Sequence, residues 1–340
     1  MKIETATVVW GQSYIEDFFN LSLKSLIIDE NISFIKNQSL IINVIFKESE
    51  KDLVDTFLEK ENNNLINVIY YPDTFFQGNK YECHSNIIKN LIKDFDIEDY
   101  IFFYYPDMIL SKNFIKNIFN FNKFDVVFFT APRIKKENFV YNFTSKIISN
   151  GIDEKILNKF IINNLHIKMH LMNVDSKYFN GAISWLINLN EYGMIIKSFH
   201  QTPLIIKRKI VDTDIINLKI GIDDYLSEIK LGPVSKIIED SEKFSWCSFE
   251  NDSKELYQET NVKLKSIIEW ISTQTTDYQR KNFLISSSYF VKDPQNMIKL
   301  KKFKYKKNFL NILRLVKNLK LFQIYFKIFN NQNKKLSIIK

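Results

Sequence analysis

Tyr100-Ile101-Phe102-Phe103-Tyr104-Tyr105-Pro106-Asp107-Met108 is a run of apolar and aromatic residues that stops abruptly at a proline and a carboxylate. A segment so short and so hydrophobic predicts a strand buried on both faces. Proline cannot donate to a sheet ladder, so Pro106 marks where the strand leaves the sheet. Asp107 is thereby expected at the strand's C-terminal lip, where open α/β sheets bind their ligands. It is the first candidate functional residue.

The same grammar recurs on either side. Thr5-Ala6-Thr7-Val8-Val9-Trp10 ends at Gly11, Leu40 to Phe46 ends at Lys47-Glu48, and Val68-Ile69-Tyr70-Tyr71 ends at Pro72-Asp73. Val126-Val127-Phe128-Phe129 ends at Thr130-Ala131-Pro132-Arg133. Helix-length segments such as Tyr14 to Ile28 and His84 to Lys93 lie between these runs. Strands alternating with helices predict an α/β sheet that is largely parallel. Such a sheet would gather Trp10, Asp73, Asp107 and Arg133 on one edge. Any one of them alone reads as a polar residue closing a strand; four on one edge point to a site.

With 340 residues the chain can build one large domain or two modest ones, and 30 Phe and 16 Tyr supply much of the core. Cys83 and Cys247 give neither a disulfide framework nor a CxxC metal spacing, which fits buried thiols in a reducing cytoplasm. The N-terminus runs straight into the first strand without the pattern of a signal peptide. No segment has the roughly 18 uninterrupted apolar residues that a membrane span needs. The expected location is the cytoplasm.

The formal charge of +8 conceals a division. Residues 299–340 hold 13 of the 47 Lys and Arg and no acid, leaving 34 basic against 39 acidic residues elsewhere, a net of −5. A mildly acidic body argues against a nucleic-acid-binding core, and no nucleic-acid partner is expected. The tail interleaves Lys and Arg with Phe309-Leu310, Ile312-Leu313, Leu315-Val316 and Leu321-Phe322. Two short amphipathic helices suit this pattern. They would either lie on an anionic membrane surface through residues 299–330, making the protein peripheral to the inner face of the cell membrane, or fold back as core.

Seven glycines, no two within three residues of each other, exclude both the GxGxxG fingerprint and the GxxxxGK[ST] phosphate loop. A nucleotide on this sheet would need its diphosphate neutralised by a carboxylate-held metal or a placed Arg or Lys.

With these strands placed, the chain resembles nucleotide-sugar-dependent glycosyltransferases of the GT-A fold. The resemblance rests on a first strand ending at Trp10-Gly11, followed by Tyr14 and a helix through Leu26. It rests also on the helix Ser85 to Ile92 before the strand carrying Asp107, and on a helix such as Lys112 to Phe119 after it. It covers residues 4–135, and more loosely extends to about 250. It implies a GT-A-like, Rossmann-related α/β fold, a mostly parallel sheet flanked by helices with a basic helical C-terminal tail. The implied organisation is a catalytic domain over 1–290, with a nucleotide-sugar half at 1–135 and an acceptor half at 136–290, then the tail at 291–340.

The family's Asp-x-Asp motif is degenerate here. Tyr105-Pro106-Asp107 lacks the first carboxylate and keeps the last, the one expected to touch a divalent metal, Mn²⁺ or Mg²⁺. The resemblance also implies a downstream histidine ligand, for which His200 in Phe199-His200-Gln201-Thr202-Pro203 is the candidate. His166 and His170 form an HxxxH pair that could share a helix face and bind metal, but without the Glu of HExxH a structural or substrate-contacting role is favoured.

The expected donor-binding residues are Trp10, Gly11, Tyr14, Asp73, Asn86, Tyr105, Asp107 and Arg133. A base that takes the acceptor proton would come from Asp223, Asp224 or Glu137. Adjacent carboxylates diverge, and a solvated acidic loop is the plainer reading of either aspartate. The expected reaction moves a sugar from a nucleotide sugar, UDP-linked by preference, to a surface-glycan or lipid-linked acceptor. The alternatives are an inactive sugar- or nucleotide-binding protein of the same fold, or a nucleic-acid-binding protein acting through its tail.

Overall fold

A computed structural model describes residues 1–61, 64–176, 184–189, 191–199, 204–211, 235–251, 264–275 and 277–304, with 310, 313–314 and 316–318. In chain order the first strands are β1 (Ile3–Thr5), β2 (Thr7–Val9), β3 (Leu40–Ile41), β4 (Asn43–Lys47), β5 (Asn67–Tyr71) and β6 (Tyr100–Phe102). Next come β7 (Met108–Leu110), β8 (Val126–Phe128), β9 (Arg133–Lys135), β10 (Ser184–Asn188) and β11 (Gly193–Ser198). The series closes with β12 (Leu204–Lys207), β13 (Ser235–Ile237), β14 (Trp246–Glu250) and β15 (Ser288–Val291).

β13, β8, β12, β6, β1 and β3 hydrogen-bond in that order, and β2, β4 and β5 form a second set. The two sets are one surface. Ile3 pairs with Leu40 and Thr7 with Val44, so the register runs unchanged through single-residue breaks at Ala6 and Ile42. The sheet is therefore largely parallel, and β12 is its antiparallel member, lying between β6 and β8. This is the α/β architecture expected from the alternating runs.

Helices close the crossovers. Lys51–Glu61 links β4 to β5, and Lys80–Lys93 links β5 to β6. Asn79 starts the second of these by accepting from the Tyr81 N–H, satisfying one of the donors that a helix leaves open.

Tyr100 to Tyr104 and Met108 are buried as their composition demands, and Tyr105 to Asp107 are half-buried. Phe102 and Tyr104 pack into one core, with Phe46, Phe114 and Trp246; Ile101 and Phe103 pack into the other, with Val8, Ile45 and Ile88. Successive residues serve opposite faces, as period two requires. Pairing stops at Phe102, four residues before Pro106, because the chain turns to enter a second sheet, β7–β14–β9.

A third sheet, β10–β11–β15, has its own core of Trp185, Phe199, Ile271 and Phe283. The Phe199 and Phe283 rings stack with centroids 3.9 Å apart. Lys197, only 3% exposed, donates from Nζ to the carbonyls of Phe283 (2.9 Å) and Ser286 (2.6 Å). It thereby satisfies carbonyls left open at the end of the helix Asp277–Ile285. In the basic tail, Leu300 and Val316 are buried in this third core and Leu313 packs against it; residues 319–340 lie outside the described part. Among the described residues no helix is long and apolar enough to cross a membrane.

Candidate functional site

Strand order locates the site before any side chain is considered. The chain runs outward from β1/β2 through β3/β4 to β5, then returns to place β6 on the other side of β1. The strand order thus reverses between β1/β2 and β6, and connections diverge there to leave a crevice at the strands' C-terminal ends. Trp10 and Gly11 leave one wall of that crevice, and Tyr104 to Asp107 leave the other.

The Asp107 turn is clamped from two directions. Ser22 Oγ donates to the Pro106 carbonyl at 2.5 Å, and the Phe249 N–H donates to the Asp107 carbonyl at 3.0 Å. Ser22 closes a π-helical turn, Phe18–Ser22, inside the helical segment that begins at Gln12. Its own carbonyl accepts from the buried Tyr104 hydroxyl at 2.8 Å. Burial pushes the Tyr104 phenol up, so it remains a protonated donor at neutral pH. The Asp107 carboxylate is held, half-buried, at the lip.

Aromatic rings line the crevice as a row. Phe76 lies 5.6 Å from Trp10, Trp10 lies 6.3 Å from His84, and His84 lies 6.1 Å from Tyr105, centroid to centroid. The His84 and Tyr105 planes are inclined by 27°, close to stacked. Desolvation pushes the His84 imidazole down to about 4, so it sits in the row as a neutral ring. Sequence reasoning missed His84, since a lone histidine on an amphipathic helix carries no signal until two other elements bring rings against it.

The remaining expected residues distribute along and beyond this edge. Gly11 adopts φ +88°, a conformation natural to glycine, and its N–H donates to Glu50 Oε1 at 2.7 Å. Tyr14 is exposed on the first helical turn beyond it. Asp73 accepts from the Ser49 N–H at 3.0 Å and pairs with Lys47 at 3.3 Å, so it ties the end of β5 to that of β4. The Ser49 backbone hydrogen bond holds its carboxyl below the usual range.

Arg133 opens β9, separated from the Asp107 turn by β14, and pairs with Glu250 at 2.7 Å. Lys168 pairs with the other oxygen of Glu250. Burial alone would raise the Glu250 pKa, but these two cations hold it below the ordinary value. Glu137 is exposed on the helix Lys136–Asn142. Asp17, also missed from sequence, is half-buried and pairs with Lys136 at 2.6 Å; desolvation nevertheless raises its pKa.

The histidine pair does not share a helix face. His166 is buried with extended backbone and caps the helix Ile167–Leu171, accepting from the Lys168 N–H at 3.3 Å, whereas His170 is exposed within it. The capping role explains the spacing. Asn86 faces a separate polar cleft with Glu82 and Asn90. His200, Asp223 and Asp224 lie outside the described residues.

Among the described residues no three His, Cys, Asp or Glu side chains converge to hold a metal ion. A metal at the Asp107 turn would need ligands beyond that one carboxylate. Cys247 is no such donor in its resting state, because burial pushes its thiol up and keeps it protonated.

No family model matches this sequence, and no curated protein matches it. Solved structures that are similar to it include S. aureus TarS 1–349 in complex with UDP, at 13% identity over 40% of this chain and 37% of that one, with a TM-score of 0.30. The inositol-1-phosphate CTP transferase from T. maritima matches at 11% identity over 81% and 96% of the two chains, TM-score 0.37. The galactosyltransferase LgtC, in complex with donor and acceptor sugar analogs, matches at 7% over 85% and 87%, TM-score 0.35. The chain spans little more than a third of the TarS structure. Likeness this slight carries no argument of its own; the α/β reading rests on strand order and register.

Proposed function

We propose that the protein is a glycosyltransferase that moves a sugar from a nucleotide-sugar donor, UDP-linked by preference, to a surface-glycan or lipid-linked acceptor. The observation that carries this reading is the crevice where the strand order reverses, with an aromatic row on its wall and Asp107 fixed at its lip. A planar base gains from stacking on such rings, worth roughly 1–3 kcal/mol per base.

Each residue then has a task. Trp10, His84 and Tyr105 receive the base, and Asp107 accepts hydrogen bonds from the ribose hydroxyls. Glu137, Asp223 or Asp224 takes the acceptor proton as the new glycosidic bond forms. Mn²⁺ or Mg²⁺, held by Asp107 with His200, would neutralise the diphosphate. The apolar residues Leu300 and Val316 of the tail fold back into the third core, so the tail over 299–330 would attract an anionic membrane surface through the charge of its Lys and Arg.

Titration of the full chain with UDP and UDP-sugars, with and without Mn²⁺, tests the reading. We expect binding to quench Trp10 fluorescence, and Trp10→Ala to weaken UDP about tenfold. Asp107→Asn should abolish sugar release from the donor while the far-ultraviolet spectrum stays unchanged. Absence of nucleotide binding overturns the proposal. Tyr105 stands where a first carboxylate is expected and stacks on His84, which favours a second reading, a binding protein without turnover. Tight UDP-sugar binding with no donor cleavage selects that alternative.

A further inference from the structure

Beside the aromatic row, and sharing none of its rings, lies a second concavity of about 370 Å³. That volume is within the roughly 300–1,000 Å³ of ligand clefts. Glu82, Asn86 and Asn90 recur every fourth residue on the helix Lys80–Lys93, so they form one polar stripe on a face of that helix. Thr74 and Gln77 meet the stripe from the segment after β5, and Phe75 adds an aromatic ring. The concavity is open at the surface; Glu82, Asn86 and Asn90 are half-buried, and Thr74 and Gln77 are exposed at its rim.

The lining selects its ligand by what it contains and lacks. Among the described residues no Lys or Arg contributes to it, and Glu82 is the one carboxylate, so an anionic group such as phosphate meets repulsion there. Three carboxamides each offer donors and an acceptor in one plane, the combination that matches neighbouring hydroxyls, which both donate and accept. Glu82 adds acceptor capacity, Thr74 a hydroxyl, and the Phe75 ring an apolar surface for the C–H face of a sugar ring. Cys83, also in the wall, is turned to the Gln77 carbonyl at 3.2 Å and leaves the hydrogen bonding to the amides.

We propose that this cleft binds a neutral carbohydrate, one unit of a glycan chain, at a subsite separate from the crevice between β1/β2 and β6. If sugar transfer takes place at that crevice, the glycan held here is its acceptor; binding itself does not require transfer.

The test uses the full chain on a broad array of neutral and anionic glycans without nucleotide, followed by titration with the best-bound oligosaccharide. Preference for neutral glycans is expected, with amide-exchange protection over residues 74–90 when the oligosaccharide is added. Asn90→Leu and Glu82→Leu should each weaken binding about tenfold. No glycan binding, preference for anionic glycans or a peptide, or protection lying elsewhere overturns the proposal. The protection measurement uses the unsubstituted chain and so decides the matter even if a variant misfolds. Glycan binding without UDP binding would sink the transferase reading and leave this one standing; UDP binding without glycan binding does the reverse.

Discussion

His84 shows how one side chain can report on a whole site. Its ring is held between Trp10 and Tyr105, and desolvation brings its folded pKa to about 4 from an ordinary 6.5. The unfolded chain therefore binds the proton more readily than the folded one does. The stability that this neutral ring contributes is complete above about pH 6.5 and is lost as pH falls towards 4. We expect about 2 kcal/mol of pH-dependent stability over that window to disappear in His84→Phe. Denaturant titrations of both proteins at pH 7 and pH 4.5 measure it; an equal loss in each would remove the histidine from the account. Nucleotide affinity should, by the same reasoning, stay level between pH 6 and 8, because the ring is neutral throughout.

Strands and helices differ in how far they could be read ahead. β1/β2, β3/β4, β6 and β8 announce themselves as short apolar runs, because burial on both faces leaves little room for polar residues, and the half-buried edge strand β5 does so through Val68 to Tyr71. β7, β9 and β14 do not, being three to five residues long and paired across 115 or more positions with partners that local pattern cannot supply. The π-helical turn at Phe18–Ser22 is equally silent, since no breaker marks it and the Ser22 contact with Pro106 is distant in sequence. Asp107 was legible because a strand end needs only local sequence. His84 and Asp17 were not, because their partners come from other elements.

One element depends on a single glycine. Gly193 has φ +141°, and a Cβ there would lie 2.0 Å from the Phe290 carbonyl oxygen of the neighbouring β15. That oxygen belongs to a paired backbone and cannot swing aside. Gly193→Ala should cost about 3 kcal/mol or more, combining strain with a displaced strand pair. Thermal unfolding of the variant checks this; an unchanged midpoint would mean that β11 and β15 are not joined as described.

Across the molecule, the first two cores share the central sheet as a common wall, and the first and third share β10–β11–β15, with Leu186, Met194, Ile196 and Phe290 in the first core and Trp185, Ile187, Ile195 and Val291 in the third. The third is tied to the rest by such contacts as the Tyr289 N–H donating to the Glu239 carbonyl at 2.7 Å. Elements that share a wall should open together, and the outer layer of the third core, the helices Leu264–Gln274 and Asp277–Ile285, should open at lower free energy. Native-state hydrogen exchange in rising denaturant is expected to resolve two groups of amides, with Ile101 and Ile45 in the slower and Ile271 and Phe283 in the faster. A single group with one opening free energy would contradict this division.

The clamp on the Asp107 turn also limits how the gene can change. Most connections at the rim of a sheet accept extra residues at small entropic cost. This one has its Pro106 and Asp107 carbonyls already committed to Ser22 and Phe249, and it leads at once into β7, whose three residues are all buried. A single residue inserted between Tyr105 and Met108 would reverse which face each β7 side chain presents, with no slack before it to absorb the shift. Length variation should therefore accumulate in other connections, while the spacing from Tyr104 to Met108 stays fixed even in descendants that have lost the carboxylate.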